Sequence, residues 1–186
     1  MSVQIARRSF TVAEYYRMAE AGILSEDDRV ELLDGEVIEM SPIGSRHAAC
    51  VDRLNGFLNG VKGPRFIVRV QNPIRLDDHS EPQPDITLLR VRFDFYAAAH
   101  PTPADVMIVI EVADSSVELD RQVKLPLYAQ AEVPEVWLAN LPNDTVEFYA
   151  QPSNGAYQVA KVFRRGETVI SQMVPDLQIG VDEILG

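Results

Sequence analysis

Hydrophobic positions along this 186-residue chain change their period several times, and each change marks an expected element. Thr11 followed by Glu14 reads as a capping box, opening a helix through about Ala21 that Gly22 stops. Val30–Leu33 and Glu36–Met40 flank Asp34-Gly35, the strongest short-range hairpin signal. A helix follows from about Ser45 to Val61, with Val51, Leu54, Phe57, Leu58 and Val61 in an apolar stripe, and Gly63-Pro64 ends it. Strands are expected at about Phe66–Val70, Ile74–Leu76, Asp85–Leu89 and Val106–Val112. The last is apolar on both faces until Glu111, the mark of a central strand in a covered sheet. Asp114-Ser115-Ser116 is expected to cap a helix from about Glu118 to Ala131, and Glu135–Asn140 reads as another buried strand. Val146–Tyr149, Tyr157–Phe163 and Thr168–Ile170 read as a small antiparallel appendage. The order implies an α/β sandwich: a mixed sheet flanked by helices, with an antiparallel appendage near the C-terminus. Arg90 to Asp105, which includes Phe93, Phe95 and Tyr96, is the longest expected loop, and such loops often carry function.

Length suits one domain over residues 1–186. A hydrophobic content of 46% and a charged content of 24% argue against intrinsic disorder. No apolar stretch approaches the roughly 20 residues needed to cross a bilayer, so no membrane association is expected. Met1–Arg8 has no apolar segment after its basic pair, so a secretory signal is not expected either. The single Cys50 excludes an internal disulfide, suits a reducing cytoplasm, and reads as a small buried helix residue.

A net charge of −11 argues at first against a nucleic-acid partner, but its distribution weakens that objection. Between Gly44 and Leu76 six basic residues face the single acid Asp52, whereas Asp77 to Asp144 holds 13 acids and 4 bases. A basic segment beside an acidic one is the division a metal-dependent nuclease requires, although charge runs are also ordinary solvated faces.

Three residues carry the candidate chemistry. Asp85 follows a proline at the start of a strand, Glu111 interrupts a run of strand hydrophobes, and Lys124 lies on the next helix. Carboxylates ending apolar runs are costly to desolvate unless cations or donors meet them. Two of them brought together repel and call for a divalent metal. Each residue also has a plain structural reading: a turn acid for Asp85, an arginine-paired carboxylate for Glu111, an exposed i,i+4 pair with Asp120 for Lys124. Glu31 is either a further metal-shell acid or a solvent-facing strand residue. His47 suits phosphate contact or proton transfer, or a structural role. No zinc pattern, Walker loop, dinucleotide fingerprint or Gly-x-Ser-x-Gly elbow is present.

The run Arg29–Pro42 with Arg46-His47, then Pro82–Asp85, Val109–Val112, Asp120–Tyr128 and Val133–Leu138, resembles the Uma2 family of restriction-endonuclease-like proteins over almost the whole chain. That family is similar to the PD-(D/E)XK nucleases. The resemblance implies a mixed sheet with an aspartate and a glutamate on adjacent strands holding Mg²⁺ or Mn²⁺, here Asp85 and Glu111, with Glu31 a third candidate. It implies hydrolysis of DNA phosphodiesters, with Arg46, His47, Arg53 and Arg69 as candidate DNA contacts. The superfamily pattern places lysine two residues after the second acid, where this chain has Ala113, so the resemblance moves that role to Lys124. Symmetric cleavage would favour a homodimer. The alternatives are a non-catalytic nucleic-acid- or protein-binding module on the same fold, and a metal-dependent hydrolase of small molecules.

Overall fold

The computed structural model describes residues 8–25 and 27–186; most of the N-terminal stretch used in the leader reading thus lies outside the described residues. Helix α1 (Val12–Glu20) opens as expected: Thr11 Oγ1 accepts the Glu14 N–H at 3.2 Å and Glu14 Oε2 accepts the Thr11 N–H at 3.0 Å. Strands β1 (Val30–Leu33) and β2 (Glu36–Glu39) form the hairpin around Asp34-Gly35, both at positive φ. Only glycine fits the second turn position, because a Cβ there would lie 1.9 Å from Ser9 Oγ. An isolated bridge from Leu32 to Glu81 ties this hairpin to the body.

The central sheet has six strands in the order β3-β4-β5-β6-β7-β8. They are Ile67–Val70, Ile86–Leu89, Val106–Ala113, Glu135–Asn140, Thr145–Ser153 and Ala156–Arg164. β5 and β6 are parallel and every other neighbour is antiparallel, which makes the sheet mixed. β5 is buried at all positions but Met107, as a strand covered on both faces must be. Its side chains alternate between two cores. Ile108, Ile110 and Val112 meet Cys50, Leu54 and Leu58 of α2 (Ser45–Val61) together with the C-terminal segment. Val109 meets Tyr128, Val133 and Val136 on the other side.

Several expectations are corrected. Ile74–Leu76 forms no strand: Ile74 and Leu76 donate to the carbonyls of Pro82 and Ser80, so the chain doubles back between Pro73 and Pro82 while both apolar side chains stay buried. The β4 strand begins at Ile86, leaving Asp85 just outside it. β7 and β8 belong to the main sheet, and the C-terminal appendage is the smaller pair β9 (Thr168–Ile170) and β10 (Gln178–Gly180), followed by α5 (Val181–Leu185). Hydrophobic alternation shows that a strand has a buried face but not which sheet it joins.

The helix expected from Glu118 to Ala131 has a break in its winding. α3 (Val117–Leu119) runs through a π-helical stretch (Asp120–Lys124) into α4 (Leu125–Gln130). Pro126 in this run has no N–H and would crowd the carbonyl four residues earlier in a regular helix; the wider turn, with Leu125 N–H donating to Asp120, relieves that crowding. Ser116 stands at the N-cap without a side-chain capping bond and instead donates to Asp120 Oδ2 at 2.6 Å.

Candidate active site

The register that pairs Ile86 with Ile110 brings Asp85, the residue before β4, opposite Glu111 of the antiparallel β5. Glu111 projects to the α4 face, one step beyond the α2-facing Ile110, where Lys124 and Tyr128 meet it. The backbone N–H of Asp85 donates to Glu111 Oε2 at 3.3 Å. Asp85 Oδ2 accepts the Val112 N–H at 2.9 Å, and Oδ1 accepts Gln71 Nε2 at 3.2 Å. Both carboxylates line a cavity of about 320 Å³ that also takes in Glu31, His47, Asp120 and Lys124.

Lys124 is buried, so the exposed i,i+4 pair is ruled out. Its Nζ lies 3.1 Å from Glu31 Oε1, 3.4 Å from Glu111 Oε1 and 3.9 Å from Asp120 Oδ1. Burial opposes its charge, but Glu111, Glu31 and Asp120 outweigh that and hold its pKa above the ordinary lysine value. Burial pushes Glu111 up to about 8 even though Lys124 pulls it down, and burial likewise raises Asp120. Tyr128 donates its hydroxyl to Glu111 Oε1 at 2.6 Å. Both oxygens of Glu31 have partners, Oε1 the lysine and Oε2 the Gln83 N–H at 3.0 Å. Glu31 therefore faces Lys124 and does not bond Asp85. The residue pattern does not single out Asp120 or Tyr128; the available signal is the three-to-four spacing that puts Tyr128 on the Lys124 face.

His47 Nε2 lies 3.0 Å from Asp85 Oδ2, a bond that raises the imidazole pKa against the effect of its burial. The other basic candidates are not drawn into this cluster. Arg46 is exposed and donates to the Leu141 carbonyl at 3.1 Å. Arg53 donates to the carbonyls of Ile184 and Leu185, and Arg69 Nη2 to Asn72 Oδ1 at 3.4 Å. Arg29, which the charge pattern does not mark, lines the cavity. The Arg90–Asp105 loop joins the opposite ends of β4 and β5, about 13 Å along β4 from Asp85 at a strand's rise per residue. Long as it is, this loop does not line the cavity.

Among the described residues no group of three or more His, Cys, Asp or Glu side chains is placed to hold a metal ion. An ion with few protein ligands still fits. Mg²⁺ keeps several waters and takes one or two carboxylates, and Mn²⁺ shares its preference for oxygen. Asp85 and Glu111, which line the same cavity, are carboxylate donors of that kind.

No helix among the described residues is long and apolar enough to cross a membrane. No curated protein matches the chain. Among solved structures, the chain is similar to one described as "a putative nuclease belonging to DUF820" from Anabaena variabilis ATCC 29413. The two are 16% identical with a TM-score of 0.72, over 95% of this chain and 97% of that one, a likeness that speaks for a shared nuclease-like fold. The model of the Uma2 family, described as "Putative restriction endonuclease", matches residues 12–182. That match runs from α1 into α5 and takes in the whole carboxylate–lysine cluster, so the chain belongs to the Uma2 family.

Proposed function

We propose that this chain is a metal-dependent endonuclease that hydrolyses phosphodiester bonds in DNA. The observation that carries this reading is the convergence of Asp85 and Glu111, from adjacent strands, with a buried ammonium from the helix. Asp85 and Glu111 would hold Mg²⁺ or Mn²⁺, which when bound offsets charge on the phosphate and makes a coordinated water more acidic. Lys124 supplies a fixed positive charge for the negative charge that builds on the phosphate oxygens. Glu31 and Asp120 keep it in place, so little reorganisation is needed during reaction. Ala113, small and buried, leaves the lysine role to be filled from the helix, and a long ammonium side chain reaches that point. His47 holds the Asp85 carboxylate from the α2 side.

The duplex backbone would be met by Arg46 and Arg29, which are exposed. Arg53 and Arg69 are half-buried as well as bonded within the fold, and are better suited to local structure than to phosphate contact. Incubation of supercoiled plasmid with the protein and Mn²⁺ tests the proposal. The expected result is nicked and linear DNA, abolished by a chelator and by Glu111→Gln. DNA binding without cleavage under any divalent ion would favour the non-catalytic module instead.

A further inference from the structure

Tyr128 is fully buried on the sheet-facing side of α4, one turn beyond Lys124. Its hydroxyl donates to a carboxylate, Glu111 Oε1, at 2.6 Å. The nearby Tyr157 shows the ordinary alternative: half-buried in the same core, it donates to a backbone carbonyl, that of Val133, at 2.8 Å. The difference matters for what Glu111 can present. Its Oε1 is approached by Lys124 as well, but at 3.4 Å, and that ammonium lies closer to Glu31 than to Glu111. The hydroxyl bond is the shortest of the three contacts made to this carboxylate and the one that holds Oε1 most closely. With Oε1 so held, Oε2 is left toward Asp85, whose N–H lies 3.3 Å away, and toward the cavity.

We propose that Tyr128 is a positioning residue for Glu111, orienting its carboxylate so that Oε2 faces the divalent-ion site it shares with Asp85. This rests on the metal-dependent reading above. Hydrogen-bond partners of ligating carboxylates typically contribute 10–100-fold to metal affinity when removed. Tyr128→Phe keeps the ring and deletes only the donor. Tyr157→Phe deletes a hydroxyl donor in the same core whose acceptor is a backbone carbonyl, away from the carboxylates, and so reports the structural cost of losing such a bond.

Calorimetric titration with Mn²⁺ should show binding by the wild type, loss in Glu111→Gln, about 10-fold or greater weakening in Tyr128→Phe, and wild-type affinity in Tyr157→Phe. Weakening of equal size in both tyrosine variants would overturn the proposal, as would unchanged affinity in Tyr128→Phe. Both of these leave the metal reading standing, whereas a wild type that binds no Mn²⁺ overturns the two together. A second measurement needs no variant. A divalent ion on Glu111 draws electron density from the carboxylate that accepts the Tyr128 hydroxyl, so a tyrosine difference absorption signal should saturate with Mg²⁺. Saturation by Mg²⁺ without that signal also overturns the proposal.

Discussion

A lysine with three carboxylate oxygens around it is a different object from a lysine in a surface ion pair. Exposed pairs are worth about 0–1 kcal/mol, whereas breaking a buried pair costs about 3–5 kcal/mol because a charge is left unmet. Lys124 is of the second kind, with Glu31 at 3.1 Å and Glu111 at 3.4 Å. Lys124→Met keeps much of the apolar stem, so it should lower the denaturant midpoint measurably yet leave a folded protein that still takes up Mn²⁺. Plasmid cleavage should fall by roughly 10²–10³-fold, the loss typical of one removed charge-stabilising donor. Full activity in a folded Lys124→Met protein would take the lysine out of the mechanism. The carboxylates make a separate prediction. Asp85→Asn with Glu111→Gln should abolish Mn²⁺ binding in calorimetry, since the proposed ion site takes its donor oxygens from these two side chains. These acids stand out in the linear chain because an acid ending an apolar run is chemically conspicuous. Tyr128 does not, since a tyrosine on an apolar helix face looks the same whether its hydroxyl meets a carboxylate or a backbone carbonyl.

The helix bearing Lys124 is held to the sheet at one side by Arg121. Its guanidinium bonds both oxygens of Glu147 on β7, and Asn140 and Tyr149 donate to the same carboxylate. Burial tends to raise the Glu147 pKa, but these hydrogen bonds, Arg121 first, outweigh it and leave the group below its ordinary 4.5. A carboxylate with a lowered folded-state pKa stabilises the fold fully above its unfolded value and loses that contribution as pH falls through the folded one. The wild type should therefore lose stability as pH drops below about 4.5, and Glu147→Gln should flatten that part of the profile while being less stable at pH 7. Denaturant midpoints across that range check both the sign and the window; an unchanged acid limb in Glu147→Gln would show that this carboxylate does not contribute. The hairpin and the helices α1 and α2 were legible beforehand because local chemistry decides them: a capping box, an Asp-Gly turn, a stripe at helical spacing. The π-helical stretch was not, because the same run suits a regular helix apart from Pro126, and a single proline does not say whether the helix ends, kinks or widens before it.

For the molecule taken together, the proposed DNA substrate must be met despite a net charge of −11, which calls for positive side chains that reach solvent near the cavity. Binding to duplex should weaken steeply with salt, and Arg46→Gln or Arg29→Gln should lower affinity for all sequences and reduce the salt slope by about 1 each. Arg53→Gln should instead lower thermal stability with little change in that slope, because its donors hold the carbonyls of Ile184 and Leu185. Equal loss of DNA affinity in Arg53→Gln would put the contact surface back along α2. By itself the chain's sequence determined its α/β class, its hairpin and the buried character of β5, and it marked Asp85 and Glu111 as conspicuous acids. These follow from side-chain period and from the cost of placing charge among hydrophobes, both local properties. Only the tertiary structure decided that β7 and β8 extend the main sheet, that the segment around Ile74 folds back, and that Glu31 faces the lysine. It also decided that Arg53 serves the carbonyls of Ile184 and Leu185 and that the longest loop lies away from the cavity. Strand order, register and the partner of a long side chain are settled by contacts between residues far apart in sequence, where period-two alternation and charge counts are equally consistent with several arrangements.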